Sequence, residues 1–150
     1  MSAPFDDGRC FACGPENEMG MHLSFAAGAG GVRAQTVIDA RFQGWRGMAH
    51  GGIAMALLDE AMAHAAGFAG YRGLTARVTA RFRHPIPIGA QITIEGRVAW
   101  IRRRSLGLEA RVLDALGTVL VEGEGTFVAR GRLEDVHDRR NPAVRAAGRQ

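Results

Sequence analysis

At 150 residues the chain is the size of one globular domain, and its 47% apolar and 23% charged residues suit a packed core, not a disordered tail. No apolar run approaches the roughly 20 residues that span a bilayer, and Met1 to Gly8 lacks a basic stretch followed by an apolar one, so no membrane span or secretory signal is expected and the cytoplasm is the default location. The formal charge is +4 and all 19 basic residues are Arg, spread out except for Arg102-Arg103-Arg104, which disfavours a nucleic-acid partner and suits a small polyanion; the absence of Lys removes Schiff-base chemistry.

Residues 1–20 read as a loop region, dense in Gly, Pro, Asn and Asp. Within it, Cys10 and Cys13 make half of a four-cysteine zinc pattern; His22 could be a third ligand, but no fourth is evident nearby. Gly14-Pro15 after the second cysteine reads as turn, unlike a thioredoxin-type helix start, so a structural role without metal is expected. Residues 21–26 and 32–39 read as strands joined by a glycine turn at Gly28 to Gly31. Residues 49–68, rich in Ala, Leu and Met, form the only long helix candidate, apolar on nearly every face and therefore expected to be buried all round. After a turn at Gly70-Tyr71-Arg72-Gly73 come four β-rich runs, 74–84, 91–101, 105–114 and 118–129, and a polar tail over 131–150. Two strands, one buried helix and four strands predict an α+β domain over 21–130, an antiparallel β-sheet wrapped around one long central helix.

Asp59-Glu60 is the anomaly of that helix, because an isolated buried carboxylate is costly. Adjacent helical residues point about 100° apart, so one carboxylate is expected to find an Arg partner and the other to line a cavity; the lesser alternative is that both belong to one buried ion network. His50-Gly51-Gly52 opens the helix, where free N–H groups favour negative charge and glycines let a ligand approach the backbone, although a cap with close packing would look the same. Gly51 and Asp59 lie about 12 Å apart along the helix axis. If both act on one carbonyl, two subunits must share the site, as a two-fold dimer allows.

Gly44-Trp45, His50-Gly51-Gly52 and Asp59-Glu60-Ala61 together resemble the signature of hotdog-fold acyl-CoA thioesterases of the PaaI-like kind. Cys10-Phe11-Ala12-Cys13-Gly14 and Gly20-Met21-His22-Leu23-Ser24-Phe25 are similar to the N-terminal region of one branch of that group. The resemblance covers about Cys10 to Ala129. It implies the hotdog fold, in agreement with the element order, and hydrolysis of a thioester to a carboxylic acid and free coenzyme A. It also implies Asp59 as general base or nucleophile, favoured by motif register over Glu60, although some hotdog enzymes use a helix Glu and Glu60 could share the role, and Gly51 as the N–H that polarises the carbonyl from the other subunit. His50 and Gly52 stand beside that N–H, and Thr75 matches the hydroxyl that positions water. Several relatives carry Asn where this chain has Gly44; Gln43 is next door but is not expected to replace it, and what does is left open. Strict alternation puts Thr75 on the same strand face as Arg77, Thr79, Arg81 and Arg83, so it reaches the site only at a strand end or a bulge. Arg103 and Arg104 are the candidates for the coenzyme A phosphates, or else a solvated turn. His64 and His84 are expected to be structural. Trp45, Phe68, Tyr71 and Trp100 could wall the acyl pocket or belong to the core.

No metal or other cofactor is needed beyond the coenzyme A of the substrate, and no membrane or nucleic-acid partner is expected. The mechanism requires a homodimer and leaves a tetramer open. The other reading is a non-catalytic acyl-CoA binding or sensing protein on the same scaffold, with an enoyl-thioester hydratase behind it.

Overall fold

The computed structural model describes residues 6–28 and 30–132. Its elements run β1 (Ala26–Gly28), β2 (Gly31–Val37), a short 3-10 helix (Ala40–Phe42), α1 (Gly51–Phe68), β3 (Tyr71–Phe82), β4 (Gln91–Arg102), β5 (Ser105–Leu113) and β6 (Val119–Arg132). The strands form one sheet in the order β1-β2-β4-β5-β6-β3, antiparallel throughout. After α1 the chain runs along the far edge against β6 and then crosses back to β4, which leaves β3 as an edge strand. The helix lies on the inner face and contacts every strand from β2 to β6. Among the described residues no helix is long and apolar enough to cross a membrane.

The buried residues of α1 are Ala54, Leu57, Leu58, Ala61, Met62, Ala65 and Ala66, spaced by three and four so that they form one face. That face meets Val32, Ile92, Ile94, Leu106, Leu108, Val112, Val121 and Phe127 from the sheet. Contact is closest at Gly96 of β4, where a Cβ would stand 2.4 Å from the Ala61 carbonyl oxygen. Gly96→Ala must therefore push the helix off the sheet. The expected cost is about 1–3 kcal/mol, read as a lower urea midpoint with an unchanged slope.

The helix is not buried all round within one chain. Gly51 and Gly52 are exposed, and Met55, Ala56, Asp59 and Ala63 are only half-buried. Alanine makes every face of this helix read as apolar, yet one sheet covers a single side. The remaining stripe, with Asp59 in its middle, stays open.

Three element boundaries differ from the sequence reading. Residues 21–25 do not form a strand: the Met21 and Leu23 N–H groups donate to the Phe11 and Ala12 carbonyls at 2.9 and 2.8 Å, and His22 has φ 51°. Only Ala26–Gly28 pairs with β2. The turn after the helix is shorter than expected, since Gly70 at φ 91° reverses the chain and β3 begins at Tyr71. Strand β6 continues through Gly131 and Arg132; the rest of the polar tail lies outside the described residues.

Candidate active site

Thr75 reaches the helix because β3 carries a bulge. Thr75 pairs with Phe127 and Arg77 with Thr126, so Ala76 is an extra residue with no partner. On the C-terminal side of the bulge, Val78 and Ala80 pack against the core while Thr79 and Arg81 face outward. The bulge shifts the alternation by one, and Thr75 joins the inner face with its hydroxyl donating to Asp59 Oδ1 at 2.7 Å. Asp59 Oδ2 takes no donor from the described residues. The carboxylate is thus oriented by one hydroxyl, half-buried, and open on the uncovered stripe of α1.

The helix start is built by two loops. His50 is the N-cap of α1, and its Nδ1 accepts from the Gly52 N–H at 2.8 Å. The Ile53 and Ala54 N–H groups both donate to the His50 carbonyl. Gly51 N–H is then the one first-turn donor without a protein acceptor among the described residues, a free donor at the positive end of the helix dipole. Since Nδ1 accepts, a neutral His50 ring carries its proton on Nε2. The chain entering the helix is fixed by Ala49 N–H to the Ile86 carbonyl at 2.9 Å and by a bridge between Met48 and Pro87. Connection 85–89 therefore braces the site.

Gly44 packs against His50, and a Cβ there would stand 2.8 Å from His50 Cα. A larger residue at 44 cannot enter without displacing the cap. Gln43 does not stand in for the family Asn: its Oε1 accepts from the Gly47 N–H at 2.9 Å within the loop. Gly44→Ala is expected to displace the cap and lower turnover by up to about 10²-fold; circular dichroism should report an intact fold and steady-state kinetics the loss.

Beside Gly51 lies an apolar cleft of about 300 Å³ lined by Met48, Ala54, Phe82, Ile86 and Val121, among others. Phe82, two residues beyond Ala80 on β3, brings its ring to 4.0 Å from where a Cβ on Gly51 would stand. A larger depression, about 750 Å³, lies on the opposite face of the sheet among Arg81, Glu95, Arg97, Glu109, Arg111 and Glu122. Those side chains pair with neighbours, as in Arg111 to Glu95 at 2.8 Å and Arg97 to Glu109 at 2.8 Å. It is a solvated ion ladder, away from Asp59.

Arg103 and Arg104 form the two-residue turn between β4 and β5, with Arg103 at φ 55°. The Arg104 carbonyl accepts from Ala129 N–H at 2.7 Å, and Ala129 pairs with Gly73. The turn therefore sits at the Thr75 end of the sheet, two strands from β3, or about 10 Å in the sheet plane. Of the aromatic candidates, Trp100 covers Gly107 on the outer face, Tyr71 lies under Arg132, Phe68 packs against the core, and Trp45 is 85% exposed.

Glu60 departs from the sequence reading in its partner. Among the described residues no Arg meets it; instead His64, one turn on, lies with Nε2 3.1 Å from Glu60 Oε1, and Cys10 Sγ lies 3.8 Å from the same oxygen. Burial pushes the Glu60 carboxyl up, but hydrogen bonds from His64 and Cys13 outweigh it and hold the group below its ordinary value. Burial, reinforced by Glu60, pushes the Cys13 thiol far above the usual thiol range. His22 is not part of this group, since its Nε2 lies 2.6 Å from the Asn17 carbonyl oxygen. Asp59 and Glu60 thus face different surroundings, as helical geometry requires.

An antiparallel sheet around one long helix is the hotdog arrangement. The thioesterase superfamily model matches residues 46–121, and the chain belongs to that superfamily. No curated protein matches the chain. Among solved structures, a thioesterase superfamily protein designated RHA08564 is 29% identical with a TM-score of 0.76, covering 80% of this chain; this chain spans only 60% of that protein's length. The smu.793 protein of Streptococcus mutans, solved with acetyl-CoA bound, is 19% identical with a TM-score of 0.68, covering 73% of this chain and 90% of the other. The PaaI protein of E. coli, from the phenylacetic acid degradation operon, is 17% identical with a TM-score of 0.68, over 75% and 82%.

Proposed function

We propose that this protein hydrolyses an acyl-CoA thioester at a site shared by two copies of the chain. The observation that carries the reading is the Asp59–Thr75 pair at 2.7 Å on the uncovered stripe of α1, about two turns from the free Gly51 N–H on the same helix. Those groups lie about 12 Å apart along the axis, too far to serve one carbonyl within one chain. A second copy is a physically reasonable cover. Among the described residues the outer edge of β3 has no neighbouring strand, and Leu74 and Phe82 on it are 60% and 56% exposed.

In this reading Asp59 takes a proton from a water as the water attacks the thioester carbonyl carbon. Thr75 holds the carboxylate and offers its oxygen lone pairs to that water. The Gly51 N–H of the second copy donates to the carbonyl oxygen as negative charge grows on it, with His50 and Gly52 locking the cap around that donor. The C–S bond then breaks, and the coenzyme A sulfur leaves with the proton taken up by Asp59, giving carboxylic acid and free thiol. Donors of this kind supply roughly 3 kcal/mol each, so no metal or redox cofactor enters the step. The cleft beside Gly51 suits part of the acyl chain, and Arg103 and Arg104 suit the coenzyme A phosphates. Acetyl-CoA in the Streptococcus mutans structure supports a coenzyme A ester as ligand. The cytoplasm is the proposed location.

The test is thiol release from a panel of straight-chain and aromatic acyl-CoAs. Turnover on at least one of them is expected. Binding of acyl-CoA with no turnover on any would replace this reading with a sensing protein on the same fold.

A further inference from the structure

We propose that Cys10, Cys13 and Glu60 form a zinc site that pins the N-terminal segment to the central helix, with His64 completing the coordination. The proposal is independent of the thioesterase reading, since Glu60 faces the N-terminal segment while Asp59 faces β3.

The two thiols and one Glu60 oxygen all lie within 4.8 Å of one another. Ligand atoms on one tetrahedral zinc, bound at about 2.0–2.3 Å, stand roughly 3.3–3.8 Å apart. Cys10 Sγ is 3.8 and 3.9 Å from the two Glu60 oxygens, and His64 Nε2 is 3.1 Å from Oε1. Cys10, Cys13 and Glu60 are therefore near the dimensions of a metal shell and close on an ion with movements of about 1 Å, whereas His64 neighbours only the Glu60 oxygen and must swing toward the thiols to supply the fourth ligand. Glu60 and His64 are four residues apart on one helix face, and the His64 ring is held by stacking on Phe25 at 4.7 Å.

The cysteine loop is shaped for this task. Gly14 N–H donates to the Cys10 carbonyl at 2.8 Å, closing a tight turn that turns both thiols toward α1. A Cβ at Gly14 would stand 2.4 Å from Cys10 N, so the turn depends on glycine. Two thiolates two residues apart, with a carboxylate and an imidazole, are the donor set that selects zinc over magnesium or calcium. From spacing alone the site looked incomplete, because its remaining ligands come from the middle of the helix and not from His22. Residues 6–25 contain no helix or strand, and an ion would fix this segment where backbone ladders do not. The exposed side of Cys10 gives the metal its way in.

The probe is cobalt alone, added to the full chain after chelation under reducing conditions. One ion per chain is expected, with the visible bands of a tetrahedral site and a thiolate-to-cobalt charge-transfer band, displaced by one equivalent of zinc. Cys10→Ser or Cys13→Ser should roughly halve that band and the double variant should remove it, Glu60→Gln should weaken binding at least tenfold, and His64→Gln about 10–100-fold. His22→Gln should change nothing. Failure of the reduced wild-type chain to take up one tetrahedral cobalt would overturn the proposal. So would uptake that persists in the Cys10→Ser/Cys13→Ser double variant. The wild-type stoichiometry decides the matter even if a variant does not fold.

Discussion

Asp59→Asn is expected to lower kcat about 10²–10⁴-fold while leaving acyl-CoA binding within a few-fold. The substitution keeps the size of the side chain and its Oδ1, so the 2.7 Å bond from Thr75 survives and the fold has no reason to change. What disappears is the oxygen that accepts a proton from water. Because Asp59 is half-buried on an open stripe and not sealed in the core, removing its charge costs the fold little. Thiol release measures the rate, and calorimetry with a non-hydrolysable coenzyme A thioether measures the binding. Unchanged kcat would make Asp59 a structural carboxylate. Equal loss of binding and rate would mean that the residue holds substrate without activating water.

Gly51→Pro should be nearly as damaging, about 10²–10³-fold in kcat, through the loss of one backbone N–H. Proline is normally a disruptive choice, but here the position tolerates it. Gly51 is the first residue of α1, where proline is favoured and a missing N–H breaks no helical bond. The residue before it, His50, already has φ −59° and ψ 140°, the extended conformation that proline demands of its predecessor. A Cβ at Gly51 meets nothing closer than Phe82 at 4.0 Å. The variant should therefore fold, which thermal unfolding checks, and fail to polarise the carbonyl. Gly51→Ala, which keeps the N–H, should retain most of the activity. Equal loss in both variants would point to crowding of the site and not to the donor.

The fold was legible wherever hydrophobic pattern and local turn chemistry agree. The helix read as 49–68 spans Gly51–Phe68, and the strands read as 91–101 and 105–114 span Gln91–Arg102 and Ser105–Leu113. Residues 21–25 alternate like a strand, but their backbone groups bond to residues 11 and 12 and not to a neighbouring ladder. Nothing local records that choice. Thr75 gave a conditional answer: alternation placed it on the wrong face unless a bulge intervened, and the bulge is at Ala76. The uncovered face of α1 was hidden because an alanine-rich helix does not distinguish a face against its own sheet from one left open. Glu60 was the least legible residue. Its partners are a histidine one turn away and two cysteines from the N-terminal loop, and the cysteine contacts exist only once the loop has folded back onto the helix.

In the proposed mechanism one site draws Asp59 from one chain and Gly51 from another. Co-expression of Asp59→Asn and Gly51→Pro chains under different tags allows purification of the hybrid carrying one of each. A shared site predicts that the hybrid regains about half the wild-type turnover, since one of its two sites is intact and the other carries both lesions. A site contained within a single chain predicts a hybrid no more active than its two parents, and that result would contradict the account.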